Sequence, residues 1–116
     1  MKKLFASVAS ALLLVTGALG LTACGKEEVK YPVEDGKFTV VTNCPFGMYE
    51  YIGDDGKIYG IDIELAGLFA QENNLELVVK NIDFDAIFTQ VDSGYADAGM
   101  AGITVTEDRQ KVYDFS

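Results

Sequence analysis

The 116-residue sequence carries nine basic and eighteen acidic residues, no histidine, and a net charge of −9. So acidic a chain excludes nucleic acid as a partner, because affinity for a polyphosphate rests on Lys and Arg contacts. The missing histidine removes the commonest general base and the commonest transition-metal ligand, so the expectation is a chain without metal or cofactor.

Residues 1–23 begin Met1-Lys2-Lys3, continue through an apolar stretch from Leu4 to Leu21 and reach small residues before Cys24. A positive start, an apolar middle and a small-residue cut site are the pattern of an export signal. Leu21-Thr22-Ala23-Cys24 resembles the bacterial lipobox, whose cysteine is lipidated and becomes the mature N-terminus. Cys24 is then the anchor to the lipid bilayer, and the location is extracytoplasmic, at the cell surface or in the periplasm. Cleavage before Cys24 leaves seven basic against eighteen acidic residues, a net charge of −11, and leaves Cys44 with no internal disulfide partner.

Residues 24–36, polar and mixed in charge with Pro32 and Gly36, read as a flexible tether, and residues 37–116 as the folded domain. Phe38 to Asn43 is rich in β-branched residues and predicts a buried strand. Tyr51-Ile52 and Lys57-Ile58-Tyr59 flank Gly53-Asp54-Asp55-Gly56 and predict a hairpin; the Asp-Asp-Gly run lacks the spacing of a calcium loop. Asp62 to Asn73 predicts a helix, with Asp62 as N-cap, Leu65, Leu68 and Phe69 on an apolar face after Ile61, and Asn73-Asn74 as a left-handed stop. The small residues Ala66, Gly67 and Ala70 would let that helix approach a sheet closely. Leu75 to Asn81 predicts a second strand. Asp83 to Gly94 predicts a second helix with Phe84, Ile87, Phe88 and Val91 on one face. Ala96 to Ala101 predicts a third strand, and Thr106 caps a short helix through about Val112.

Strand, helix, strand, helix, strand at these lengths implies an α/β fold: a mainly parallel sheet flanked by helices. In open sheets of this kind ligands bind where the carboxyl ends of the strands converge. Those ends are Asn43 to Tyr49, Ile82 to Phe84, and Gly102 to Arg109. Arg109 is the single arginine among nine basic residues. A guanidinium matches a carboxylate with two parallel hydrogen bonds, which an ammonium does not. Gly102 exposes backbone, and Thr104 offers a hydroxyl and an amide, so the three together could hold a zwitterion. The plainer alternatives are that Arg109 is a solvated surface charge, that Gly102 only turns the chain, that Phe46 and Tyr49 pack on the hairpin, and that Phe84 belongs to the core.

The runs Val41-Thr42-Asn43, Pro45-Phe46, Tyr49-Glu50-Tyr51, Gly60 to Ala66, Ile82-Asp83-Phe84 and Ala101 to Arg109 through Asp114-Phe115-Ser116 together resemble the polar amino-acid-binding proteins of ABC importers, the family 3 solute-binding proteins. The resemblance covers Lys37 to Ser116 in order and spacing. It implies one incomplete lobe of a two-lobed, hinge-closing periplasmic-binding-protein-like fold, with the second lobe absent. It further implies a receptor, not an enzyme, that captures a free polar or charged amino acid and delivers it to an ABC permease in the membrane.

By the same resemblance Arg109 would clamp the α-carboxylate with the Thr104 amide. The Gly102 carbonyl and Thr104 hydroxyl would meet the α-ammonium, and Phe46 and Phe84 would sandwich the side chain. Asn43 stands where many relatives carry an aspartate, and Gly47-Met48 replaces the usual Pro-Pro. The abrupt end at Tyr113 to Ser116 leads to the expectation of a fragment that alone binds amino acids weakly or not at all. Two alternatives use the same residues: a ligand-sensing domain of a signalling protein, which the lipobox disfavours, and a dehydratase-like periplasmic enzyme, which the lack of histidine disfavours; a third, an acidic secreted interaction domain, would require the rim cluster to be accidental.

Overall fold

The computed structural model describes residues 30–116. The export signal, Cys24 and the first part of the tether lie outside the described residues.

Five strands and three helices follow one another: β1 (Lys37–Thr42), β2 (Tyr51–Ile52), β3 (Ile58–Tyr59), α1 (Ile61–Glu72), β4 (Glu76–Asn81), α2 (Phe84–Asp92), β5 (Ala98–Gly99) and α3 (Glu107–Gln110). The main sheet has the order β4-β1-β5 and is parallel throughout. β1 is the middle strand and pairs along its whole length with β4, from Lys37 opposite Glu76 to Thr42 opposite Asn81. β2 and β3 form the expected antiparallel hairpin. In its turn Asp55 accepts hydrogen bonds from the Lys57 amide and the Tyr59 hydroxyl, which occupies the carboxylate locally.

Central position explains why β1 is the most buried strand: both its faces are covered. Val40 and Val41 are fully buried and point to opposite sides by strand alternation. Val41 joins Ile87, Ala96 and Ala101 in a core completed by Ile82, Phe84, Val91 and Ile103, which is the α2 side. On the other side α1 packs against β1 and β4, with the Phe38 and Phe69 rings 4.7 Å apart.

Four local expectations are corrected by the packing. The buried stripe of α1 is Ile63, Ala66 and Ala70, whereas Leu65 and Leu68 are 53% and 59% exposed. Small side chains bring the helix axis close to the sheet, and the longer ones are displaced to its flanks. The strand expected over Ala96 to Ala101 is assigned only at Ala98–Gly99, although the Asp97 amide donates to the Thr39 carbonyl and the Met100 amide to Val41, so ladder bonding continues past both ends. Asp83 stands at the N-cap of α2 but its side chain makes no capping bond. The last helix stops at Gln110 rather than about Val112, the chain closing with Val112 and Tyr113 amides on the Arg109 carbonyl.

The segment before β1 is bonded to the lobe. Asp97, at the start of β5, accepts from the Val33 amide through one carboxylate oxygen and from the Thr39 amide through the other, both at 2.7 Å.

Candidate functional site

Parallel pairing sends the carboxyl ends of β1, β4 and β5 to one edge, and a cavity of about 370 Å³ opens there. Its lining is Asn43, Phe46, Phe84, Ala101, Gly102, Thr104 and Arg109. The six residues singled out from the sequence thus share one cavity wall, joined by Ala101.

Each is held by its own element. Asn43 follows β1, and its side-chain amide donates to the Ile82 carbonyl after β4, tying the two strand ends together at 2.8 Å. An aspartate could not make this bond. One residue on, Asn81 clasps the Cys44 backbone, accepting from its amide at 2.8 Å and donating to its carbonyl at 3.3 Å. These bonds position the loop that carries Phe46. That loop is closed by the Phe46 amide on the Glu50 carbonyl and the Tyr49 amide on the Phe46 carbonyl. Phe46 and Tyr49 stack with centroids 5.6 Å apart and an interplanar angle of 20°.

Gly102 has φ +56°, in the left-handed region that glycine enters without a Cβ penalty. A Cβ there would lie 2.6 and 2.8 Å from two atoms of the Phe46 ring, so the missing side chain is also what lets the ring lie against the turn. Beyond it, Arg109 is fixed at three points. Its backbone amide donates to the Thr106 hydroxyl, confirming Thr106 as the cap of α3. One guanidinium nitrogen donates to the Thr104 carbonyl at 2.8 Å. Its charged carbon lies 5.6 Å from the Phe84 centroid and 5.0 Å from that of Phe88, within cation–π range. No acidic partner engages Arg109 among the described ion pairs. The guanidinium therefore keeps free N–H donors beside the cavity. Phe84 does two things at once: it packs on the core cluster and lines the cavity.

Two residues essential to this geometry were not read as such from the sequence. Asp62 is not the cap of α1; Gly60 precedes the helix without a side-chain cap, and the Asp62 carboxylate instead accepts from the Gly102 amide at 2.7 Å. Glu50 is fully buried, and neither of its oxygens finds a donor among the described residues. Its pKa is pushed up to about 7, by burial first and then by the neighbouring Asp62 carboxyl. The Cys44 thiol is pushed up as well, by burial and then by Glu50. The sequence held no signal for Glu50: in Tyr49-Glu50-Tyr51 alternation would turn the aromatic rings inward, whereas both tyrosines are exposed and the glutamate between them is buried. Phe88 is the third addition, read as core and found also beneath the guanidinium.

Among the described residues no group of three His, Cys, Asp or Glu could hold a metal ion, and no helix is long and apolar enough to cross a membrane.

The family model for bacterial extracellular solute-binding proteins, family 3, matches residues 38–116. The chain belongs to that family. It is 33% identical over 110 residues to a probable histidine-binding protein of Neisseria gonorrhoeae, covering 91% of this chain and 41% of that one. It is 34% identical over 107 residues to the arginine-binding extracellular protein ArtP of Bacillus subtilis, covering 90% of this chain and 42% of ArtP. Among solved structures, the arginine-bound form of domain 1 from TmArgBP superposes with a TM-score of 0.68 at 31% identity, over 70% of this chain and 64% of that domain. The solute-binding chain described here thus spans less than half the length of these two sequence relatives, and its α/β architecture is that of one lobe of a periplasmic binding protein.

Proposed function

We propose that this solute-binding chain forms the ligand-gripping rim of an extracytoplasmic amino-acid receptor that serves an ABC importer. The observation that carries the reading is the cavity itself: the single arginine, without an acidic partner among the described ion pairs, faces it together with Gly102, Thr104 and two aromatic rings. Arg109 clamps the ligand α-carboxylate with the Thr104 amide. The Gly102 carbonyl and the Thr104 hydroxyl receive the α-ammonium, and Phe46 and Phe84 flank the side chain. The names of the relatives, which bind arginine or histidine, support an amino acid as the ligand class.

A second lobe completes the site and closes over it, Cys24 carries the lipid that anchors the receptor to the membrane, and the permease takes the released amino acid. Asn43 offers no charge for a basic ligand side chain, so discrimination among amino acids falls to the second lobe.

The test is calorimetry on the full-length protein with L-arginine, L-histidine and neutral amino acids, for the wild type and for Arg109→Lys. The lysine variant keeps the charge and loses the planar fork, and affinity is expected to fall by more than about tenfold, roughly 1.4 kcal/mol. A smaller loss would overturn the two-bond carboxylate clamp.

A further inference from the structure

Behind the rim, and outside the set of residues that face the cavity, lies a pair of carboxyl groups for which the grip on a ligand gives no account. Asp62 reaches from the first turn of α1 to the Gly102 amide, forty positions along the chain. Glu50 is fully buried, with two oxygens that no N–H or O–H donor of the described residues satisfies. The Asp62 amide donates to the Tyr49 carbonyl at 3.1 Å, which sets the two acids side by side; two ionised carboxylates there repel each other, and Glu50 lacks a donor altogether. One proton between them removes both costs: the acid form of Glu50 donates to Asp62, and Asp62 keeps its charge and its bond to Gly102.

We propose that the proton on Glu50 is shared with Asp62 and holds the Gly102 turn in its ligand-ready form, so that the receptor loses affinity when the proton leaves. This rests on the reading of Gly102 as part of the amino-acid grip. Among the described residues no donor stands in for the proton. The segment after β1 presents the Cys44 thiol, itself disfavoured as an anion by Glu50. The preceding loop presents Tyr49, whose ring lies on Phe46. From β3, the Tyr59 hydroxyl is committed to Asp55. α1 contributes Asp62, and among the described residues no Lys or Arg acts on Glu50. When the proton leaves, the second negative charge pushes Asp62 away, and the Gly102 amide loses its acceptor. Glu50 is a positioning residue here; it acts on the ligand through Asp62 and Gly102.

The experiment follows two readouts in the full-length protein between pH 6 and pH 8: calorimetric affinity for L-arginine, and hydrogen-exchange protection of the Gly102 amide by NMR without ligand. With Glu50 pushed up to about 7, about one molecule in ten keeps the proton at pH 8. Affinity is then expected to fall about tenfold across the range, with Gly102 protection falling in step. Glu50→Gln supplies an N–H donor to Asp62 and cannot ionise, so both readouts should be flat in that variant. Ionisation of the ligand's own groups affects wild type and variant alike and cancels in their ratio.

A flat wild-type profile, or an equal slope in Glu50→Gln, overturns the proposal. Should no amino acid bind at any pH, the amino-acid reading fails. The pH dependence of Gly102 protection, which needs neither ligand nor variant, still decides whether the proton holds the turn.

Discussion

Replacing Gly60 by alanine probes the junction on which the site geometry depends. Gly60 has φ 134° and ψ 179°, a backbone region reserved for glycine, where another residue costs about 1–3 kcal/mol. Space is the second obstacle. An added Cβ would lie 2.6 Å from the Tyr49 carbonyl carbon and 2.9 Å from the Glu50 Cα, and closer still to the Tyr49 carbonyl oxygen. These are backbone atoms, so no rotamer change relieves the contact. Relief requires moving the Tyr49–Glu50 backbone, which receives the Asp62 amide on the Tyr49 carbonyl and, one residue earlier, the Ile61 amide on the Met48 carbonyl, each at 3.1 Å.

Losing those two bonds adds roughly 1 kcal/mol each, which brings the expected loss for Gly60→Ala to about 3–5 kcal/mol. That is a large share of the ~5–15 kcal/mol by which a domain is stable. Urea denaturation of the full-length protein followed by circular dichroism measures it. The control is Gly67→Ala within α1, where a Cβ would meet only Leu77 Cδ2 at 3.9 Å; it should be neutral or stabilising by up to about 1 kcal/mol. A Gly60→Ala loss below about 1 kcal/mol would refute the argument that backbone contact fixes this junction.

Asp97→Ala removes the acceptor of the Val33 and Thr39 amides, and a stability loss of about 2–4 kcal/mol is expected by chemical denaturation, since bonds to a charged group are worth roughly 1.5–3 kcal/mol each and partial exposure reduces the total. Gly102→Ala places a side chain at φ +56° against a Phe46 ring that is half exposed and can turn, so stability should fall by only about 1–2 kcal/mol while calorimetry shows a much larger loss of amino-acid affinity. For Glu50 the folded pKa, about 7, stands above the ordinary value of 4.5. Its contribution to stability is therefore fully present below pH 4.5 and is shed as pH rises through 7, by on the order of 2–3 kcal/mol. Melting temperatures from pH 4.5 to 8 should drop more steeply in wild type than in Glu50→Gln, and parallel curves would show that the buried acid does not keep its proton.

Local chemistry made much of the scaffold legible. The β-branched runs became β1 and β4 because a strand covered on both faces needs residues that pack on either side, and such runs announce themselves without partners. Glycine and aspartate at residues 53–56 specified a turn through their own conformational preferences, and Asn74, at φ 55°, ended α1 as its sequence suggested. The order of elements also brought the ends of the parallel strands to one edge, which is why residues as far apart as Asn43 and Arg109 could be assigned to one rim.

What required the tertiary structure were choices among partners distant in sequence. Leu65 and Leu68 outrank Ala66 and Ala70 in hydrophobicity, but how closely α1 lies on its sheet decides which stripe is buried, and the small residues win. Asp62 has the composition of a helix cap, and only the return of the chain forty residues later supplies the Gly102 amide that it binds instead. Glu50 has no sequence-local reason to be buried without a donor; the carboxyl beside it arrives with α1, and the acidity of the pair belongs to that meeting. Local residue preferences set the strands, the turns and the lone guanidinium at the rim. Tertiary packing decided what stands behind the rim, because a buried proton and the helix face against a sheet depend on groups that are neighbours only after the chain has folded.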